Sequence, residues 1–184
     1  YLWIKDFNSH QNQFKSYDQA IHFLKFNPIS NQGEVIELDV PKALIQEGLG
    51  YYSALPPHVA VDNETLVYTF SYLPEIFVFD TKTKTSQQFE IPLHNYAQAE
   101  PIPYSKYRDA SIGKEGAASI FVDLVYDSES KVIIRKGRHY FDGKMKGFDY
   151  LSIVDEEGKF DEVELGFTSG RLFFNDFYQN GNWV

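Results

Sequence analysis

The chain contains no cysteine among its 184 residues, so a disulfide framework, a thiolate metal site and a cysteine nucleophile are all excluded. Basic residues are scarce as well: Lys and Arg total 17 against 26 Asp and Glu, a formal charge of -9. Such a surface repels phosphate backbones and anionic lipid, which argues against nucleic acid as a partner. No apolar run approaches the roughly 20 residues a membrane helix needs, and no charged segment followed by an apolar one opens the chain. A helical apolar period is hard to sustain over more than about ten residues anywhere. Two short segments stand apart. Pro41 to Glu47 has proline in its first turn and Gly48 just after it, and Tyr17 to Ile21 is a second candidate helical turn.

What the chain does have is alternation. Its 43% hydrophobic content, including 13 Tyr and 16 Phe, falls in short runs rich in β-branched and aromatic residues, separated by turn residues. The clearest unit divides into His58-Val59-Ala60-Val61, Leu66 to Phe70, Ile76 to Asp80 and Gln88 to Ile91, with turns at Asp62-Asn63, Leu73-Pro74 and Thr81 to Lys84. Four short antiparallel strands joined by tight turns are what one propeller blade requires. The grammar recurs in Ile120 to Tyr126, Lys131 to Arg135, Tyr150 to Asp155 and Phe160 to Phe167. Ile76 to Asp80 and Tyr150 to Asp155 correspond closely, each ending in Asp before a polar turn and an outer strand with Phe and Glu. Near the N-terminus, Ile21 to Phe26, the turn Ser30 to Gly33 and Glu34 to Leu38 form a partial copy, and Arg171 to Asp176 begins another.

The fold expected is therefore all-β, a β-propeller-like array of four-stranded antiparallel blades, with about three blades forming an arc of a larger propeller. Residues 1–184 read as one domain or fragment, with units at about 1–42 (partial), 58–93, 119–167 and 171–184 (partial). The opening Tyr1-Leu2-Trp3-Ile4 is already strand-like, so the chain is expected to begin inside a longer protein.

Leu124-Val125-Tyr126-Asp127 followed by Lys131-Val132-Ile133-Ile134-Arg135 carries a resemblance, joined by Asp155-Glu156-Glu157-Gly158-Lys159-Phe160 and Leu172-Phe173-Phe174. On these segments the chain resembles the Bacteroidetes envelope lipoproteins of unknown function with a six-bladed, TolB-like propeller. Ile133-Ile134 stands where that family carries an aromatic pair. The resemblance implies an exported bacterial protein, periplasmic or anchored to the outer membrane through a lipid-bearing cysteine upstream of Tyr1. It implies no assigned chemistry.

Candidate functional residues gather in one stretch. Arg135, Arg138, His139 and Tyr140, with Tyr104, Tyr107 and Arg108 in the preceding loop, combine guanidinium forks with amphipathic rings, a set suited to an anionic or sugar-like ligand. The competing reading is a turn whose arginines pair with the protein's own carboxylates. His58 begins an inner strand, where it either faces the channel or caps the strand entry. No two histidines have metal-ligand spacing, so no metal or other cofactor is expected. Asp62-Asn63-Glu64 and Asp155 to Gly158 are better read as hairpin turns than as calcium loops. No Gly-x-Ser-x-Gly elbow and no phosphate-cradling glycine loop is present, and no catalytic residue is assigned. The leading expectation is a non-enzymatic propeller that binds a ligand or an envelope protein. The alternatives are a propeller hydrolase or lyase acting on a glycan or small ester, and a structural module of a larger protein.

Overall fold

The computed structural model describes residues 2–6, 14–15, 20–52, 58–62, 64–92, 94, 96–103, 105–106, 118–140, 147–167, 178–179 and 182–183. In chain order the strands are β1 (Leu2–Asp6), β2 (Phe14–Lys15), β3 (Ala20–Asn27), β4 (Gln32–Asp39), β5 (Leu49–Tyr52), β6 (His58–Asp62), β7 (Thr65–Thr69) and β8 (Ile76–Asp80). They continue with β9 (Thr85–Phe89), β10 (Ile102–Pro103), β11 (Ala118–Asp127), β12 (Val132–Tyr140), β13 (Gly147–Val154), β14 (Phe160–Phe167), β15 (Tyr178–Gln179) and β16 (Asn182–Trp183). A 3-10 turn at Lys42–Leu44 follows Pro41, and Gly48 closes the segment at φ +71, where a side chain would be strained. Ala20 and Ile21 belong to β3, which removes the C-terminal end of the second helical turn expected from sequence; its remainder lies outside the described residues.

The chain divides into two compact units. The first comprises residues 1–56 and 100–110 and contains the sheets β1-β3-β4 and β10-β5-β2. Strict alternation along Val35-Ile36-Glu37-Leu38-Asp39-Val40 turns Ile36, Leu38 and Val40 inward, and Phe23, Leu44 and Tyr51 of the same unit are also buried. His22 Nε2 lies 3.0 Å from Glu37 Oε2 across β3 and β4 on the exposed face.

The second unit comprises residues 57–99 and 111–184. It contains two four-stranded antiparallel sheets, β6-β7-β8-β9 and β11-β12-β13-β14, and the short hairpin β15-β16. Each four-stranded sheet runs in sequence order, as in a propeller blade, and they are called here the N-terminal and C-terminal blades. β7 is buried on both faces, because Leu66, Val67, Tyr68 and Thr69 all find cover. Val67, Ile76 and Ile91 of the N-terminal blade meet Leu124, Ile133 and Val154 of the C-terminal blade in one shared core. Backbone bonds reinforce the seam: Phe121 N–H donates to Ser71 O at 2.9 Å and Ser119 N–H to Ala97 O at 2.7 Å.

The strands differ from the sequence expectation in informative places. The last strand of the N-terminal blade is Thr85–Phe89 rather than Gln88 to Ile91, because Thr81 to Lys84 make a tight turn and pairing begins at once. Ile91, beyond the strand end, drops into the shared core instead. The strand expected at Lys131 to Arg135 runs on through Tyr140, so Arg138, His139 and Tyr140 are strand residues and not a turn. The expected strand at Arg171 to Asp176 lies outside the described residues.

Candidate functional site

Because β12 is a strand, its side chains alternate between two faces, and the cluster read from sequence is split. Ile133, Arg135, Gly137 and His139 share the face turned to the N-terminal blade, while Lys136 and Arg138 lie on the other.

Arg135 is fully buried in the seam between the blades. Its Nη1 donates to Thr69 Oγ1 at 3.2 Å, to Glu75 O at 3.3 Å and to Leu73 O at 3.4 Å. The guanidinium carbon stands 3.6 Å from the centroid of the Phe121 ring, a cation–π contact. Burial pulls the Arg135 pKa down to about 9, with Tyr150, Tyr96 and the carboxylates Glu75 and Glu162 acting in the opposite sense. Around it Phe121, Phe148 and Tyr150 form an aromatic cluster joined by Tyr96, whose hydroxyl donates to Tyr72 O at 3.1 Å. Gly137 lets the Tyr150 ring lie flat on the strand: a Cβ there would come within 2.3 Å of Tyr150 Cζ.

On the opposite face Asp149 is fully buried and engages two cations. Arg138 grips it bidentately, Nε to Oδ1 and Nη2 to Oδ2, the latter at 2.9 Å. Lys136, itself buried, brings its Nζ to 3.1 Å from Oδ2. The pairing raises the Arg138 pKa, chiefly through the Asp149 hydrogen bonds. At this position the reading in which arginines pair with the protein's own carboxylates describes what is found.

His139 lies at the end of β12 with its ring tilted against Phe148. Its Nδ1 is 3.0 Å from Ser119 Oγ, which also accepts the Ala97 N–H at 3.0 Å. Ser119 Oγ and His139 Nδ1 share one hydrogen bond, whose donor depends on the imidazole tautomer. Partial burial lowers the His139 pKa. Further along the face, Arg135, Ser152 and Glu162 occupy one register row, and burial raises the Glu162 pKa while His94, 3.9 Å away, opposes the shift.

Of the residues singled out in the sequence, Arg135, Arg138 and His139 thus lie on one strand but on two faces. Tyr107 and Arg108 fall outside the described residues, as does Tyr104. His58 opens β6, paired with Thr69, with nothing described of its side chain. Asp149, Lys136, Ser119 and Tyr150 were not picked out; only Lys136, a cation between two arginines, had a local signal. Asp155 Oδ1 accepts the N–H groups of Glu157 and Lys159, so its carboxylate serves the hairpin turn. Among the described residues no group of three His, Asp or Glu side chains is placed to hold a metal ion. Among the described residues no helix is long and apolar enough to cross a membrane.

The fold and these sites define an all-β, blade-built protein of propeller-like architecture. No family model matches the chain, and no curated protein does. Among solved structures, the chain is similar to a member of the DUF4221 family from Bacteroides vulgatus, with a TM-score of 0.56 at 11% sequence identity. The match covers 84% of this chain and 51% of that one, so the chain spans about half the length of the solved protein. At that identity the likeness is one of fold.

Proposed function

We propose that the chain is a non-enzymatic, ligand- or protein-binding propeller of the bacterial envelope. The observation that carries binding over turnover is the commitment of its chemically capable groups to structural partners. Ser119 is buried between the Ala97 N–H and His139, and the Asp149 carboxylate is shared by Lys136 and Arg138. The end of β12 leaves half-buried guanidinium and phenol at Arg138 and Tyr140 on one face, the guanidinium held by Asp149, and half-buried imidazole at His139 on the other. Tyr107, Arg108, His58 and Arg135 belong to this reading as candidate ligand contacts on residue type alone. Such a surface suits an anionic or sugar-like ligand, or an acidic patch on an envelope protein. Export, an upstream lipid anchor and a six-bladed, TolB-like ring belong to this reading, supported by the family resemblance and by the fold likeness to a Bacteroides protein.

A second reading, a hydrolase or lyase acting on a glycan or small ester, has one observation in its favour: the Ser119–His139 hydrogen bond. Against it, Ser119 is fully buried. The test is calorimetric titration of the full chain with acidic and neutral glycans, run beside turnover assays on the same glycans and on chromogenic esters. Saturable binding without turnover, weakened by Arg138→Ala or His139→Ala, is the expected result. Turnover lost in His139→Ala transfers the protein to the second reading. Neither binding nor turnover in the unsubstituted chain leaves a structural module and overturns the proposal.

A further inference from the structure

A guanidinium withdrawn from water needs either a counter-charge or a full set of acceptors. Arg135 has only half a set. Three acceptors crowd Nη1, while Nε and Nη2 have no hydrogen-bond partner. That free edge, two N–H groups side by side, is the one with which arginine chelates an anion.

Other donors without partners surround the same seam. Ser152, the register partner of Arg135 on β13, has a buried Oγ with no hydrogen bond. The Tyr150 hydroxyl is also buried, with Ser119 as its near polar neighbour but no hydrogen bond of good geometry, and it is the titratable group that Arg135 feels most strongly. Ser71, whose carbonyl receives the Phe121 N–H, has a third such hydroxyl. Buried polar groups in folded proteins are nearly always satisfied, so a run of under-bonded hydroxyls beside a guanidinium that feels Glu75 and Glu162 only through space, with no ion pair among the described residues, is a composed feature.

We propose that the Nε/Nη2 edge of Arg135, with the hydroxyls of Tyr150, Ser152 and Ser71, holds a small monovalent anion of halide or formate size in the seam between the two blades. The size limit follows from burial: Arg135 and Ser152 are 0% exposed, Ser71 1% and Tyr150 3%. The anion would neutralise Arg135 and cross-link strand β13 to the loop after β7. This site is independent of the surface-binding function proposed above, which is read from Arg138 and His139, and its failure leaves that reading untouched.

Glu75 is the rival counter-charge. Its Oε2 is buried without a partner, and its backbone carbonyl already receives Nη1. The experiment is thermal unfolding of the full 184-residue chain in sodium bromide, formate or gluconate at fixed ionic strength, together with anomalous diffraction from bromide-soaked crystals. The Tm is expected to rise saturably with bromide or formate and not with gluconate, with a bromide peak beside Arg135 Nε. Arg135→Gln removes the dependence. Tyr150→Phe keeps the ring on Gly137, deletes only the hydroxyl, and weakens half-saturation roughly tenfold. Identical Tm values in the three salts overturn the site, as does an anion dependence unchanged in Tyr150→Phe with no peak at Arg135. A dependence seen only in Glu75→Gln also overturns it, by making Glu75 the native counter-charge. Should Arg135→Gln fail to fold, the Tyr150→Phe titration and the bromide peak still decide.

Discussion

His139 shows how much a single residue's role depends on its neighbours. Its ring packs on Phe148, its Nδ1 is held by Ser119, and burial lowers its pKa from the ordinary value. The fold therefore favours the neutral imidazole. In the unfolded chain the group titrates near pH 6.5. As the pH falls below about 6.5 the unfolded state takes up the proton first, so stability declines with acidification until the folded form protonates as well. Urea unfolding between pH 8 and pH 5 is expected to show this decline in the native sequence and a shallower one in His139→Asn. Equal slopes would assign the acid sensitivity elsewhere. The sequence presented His139 beside Arg135 and Arg138 as one cluster, and residue type alone could not separate them. Their separation follows from strand parity, which places Arg138 with Asp149, a carboxylate eleven positions on that only sheet register brings into reach.

At the scale of elements, the repeated hairpins were the most legible feature. Asn27, Asp80 and Asp127 each end a strand and accept turn N–H groups on Oδ1, and each turn finishes four residues later in a left-handed residue: Asn31, Lys84 and Lys131 at φ 53, 60 and 54. Asp155 plays the same part with Gly158 at φ +79. That short grammar made four of the strand ends readable. The bulges were not readable. β11 carries an extra residue between Phe121 and Asp123, so Phe121 and Leu124 face the same side although their numbers differ by three. A second irregularity between Asp149 and Tyr150 shifts β14, with Gly166 at φ +81. Nothing in the local composition announces either, because a bulge satisfies packing between sheets rather than propensity. The left-handed lysine yields a prediction. Lys84→Gly removes the Cβ strain while costing some unfolded-state entropy, and the net is expected to stabilise by about 0.5–1 kcal/mol, read as a higher urea midpoint. A lower midpoint would show that the Lys84 side chain contributes more than its backbone costs.

At the scale of the whole second unit, the two blades depend on each other. A sheet is stable only when its apolar face is covered, and the residues that cover one blade here belong to the other. Val67, Ile76 and Ile91 close on Leu124, Ile133 and Val154, and Arg135 reaches from β12 to the carbonyls of Leu73 and Glu75. A cavity on one side of this seam therefore removes cover from both sheets. Ile133→Ala deletes a buried side chain at the centre of the cluster and is expected to cost about 2–5 kcal/mol. The diagnostic lies in where the loss appears. Native-state hydrogen exchange should show the amides of β7 and β8 losing as much protection as those of β12 and β13, because the opening that exposes one set exposes the other. Loss confined to β12 and β13 would mean that the N-terminal blade holds its fold without its neighbour, and that the seam, with the Arg135 contacts in it, is a docking surface between independent modules rather than a shared core.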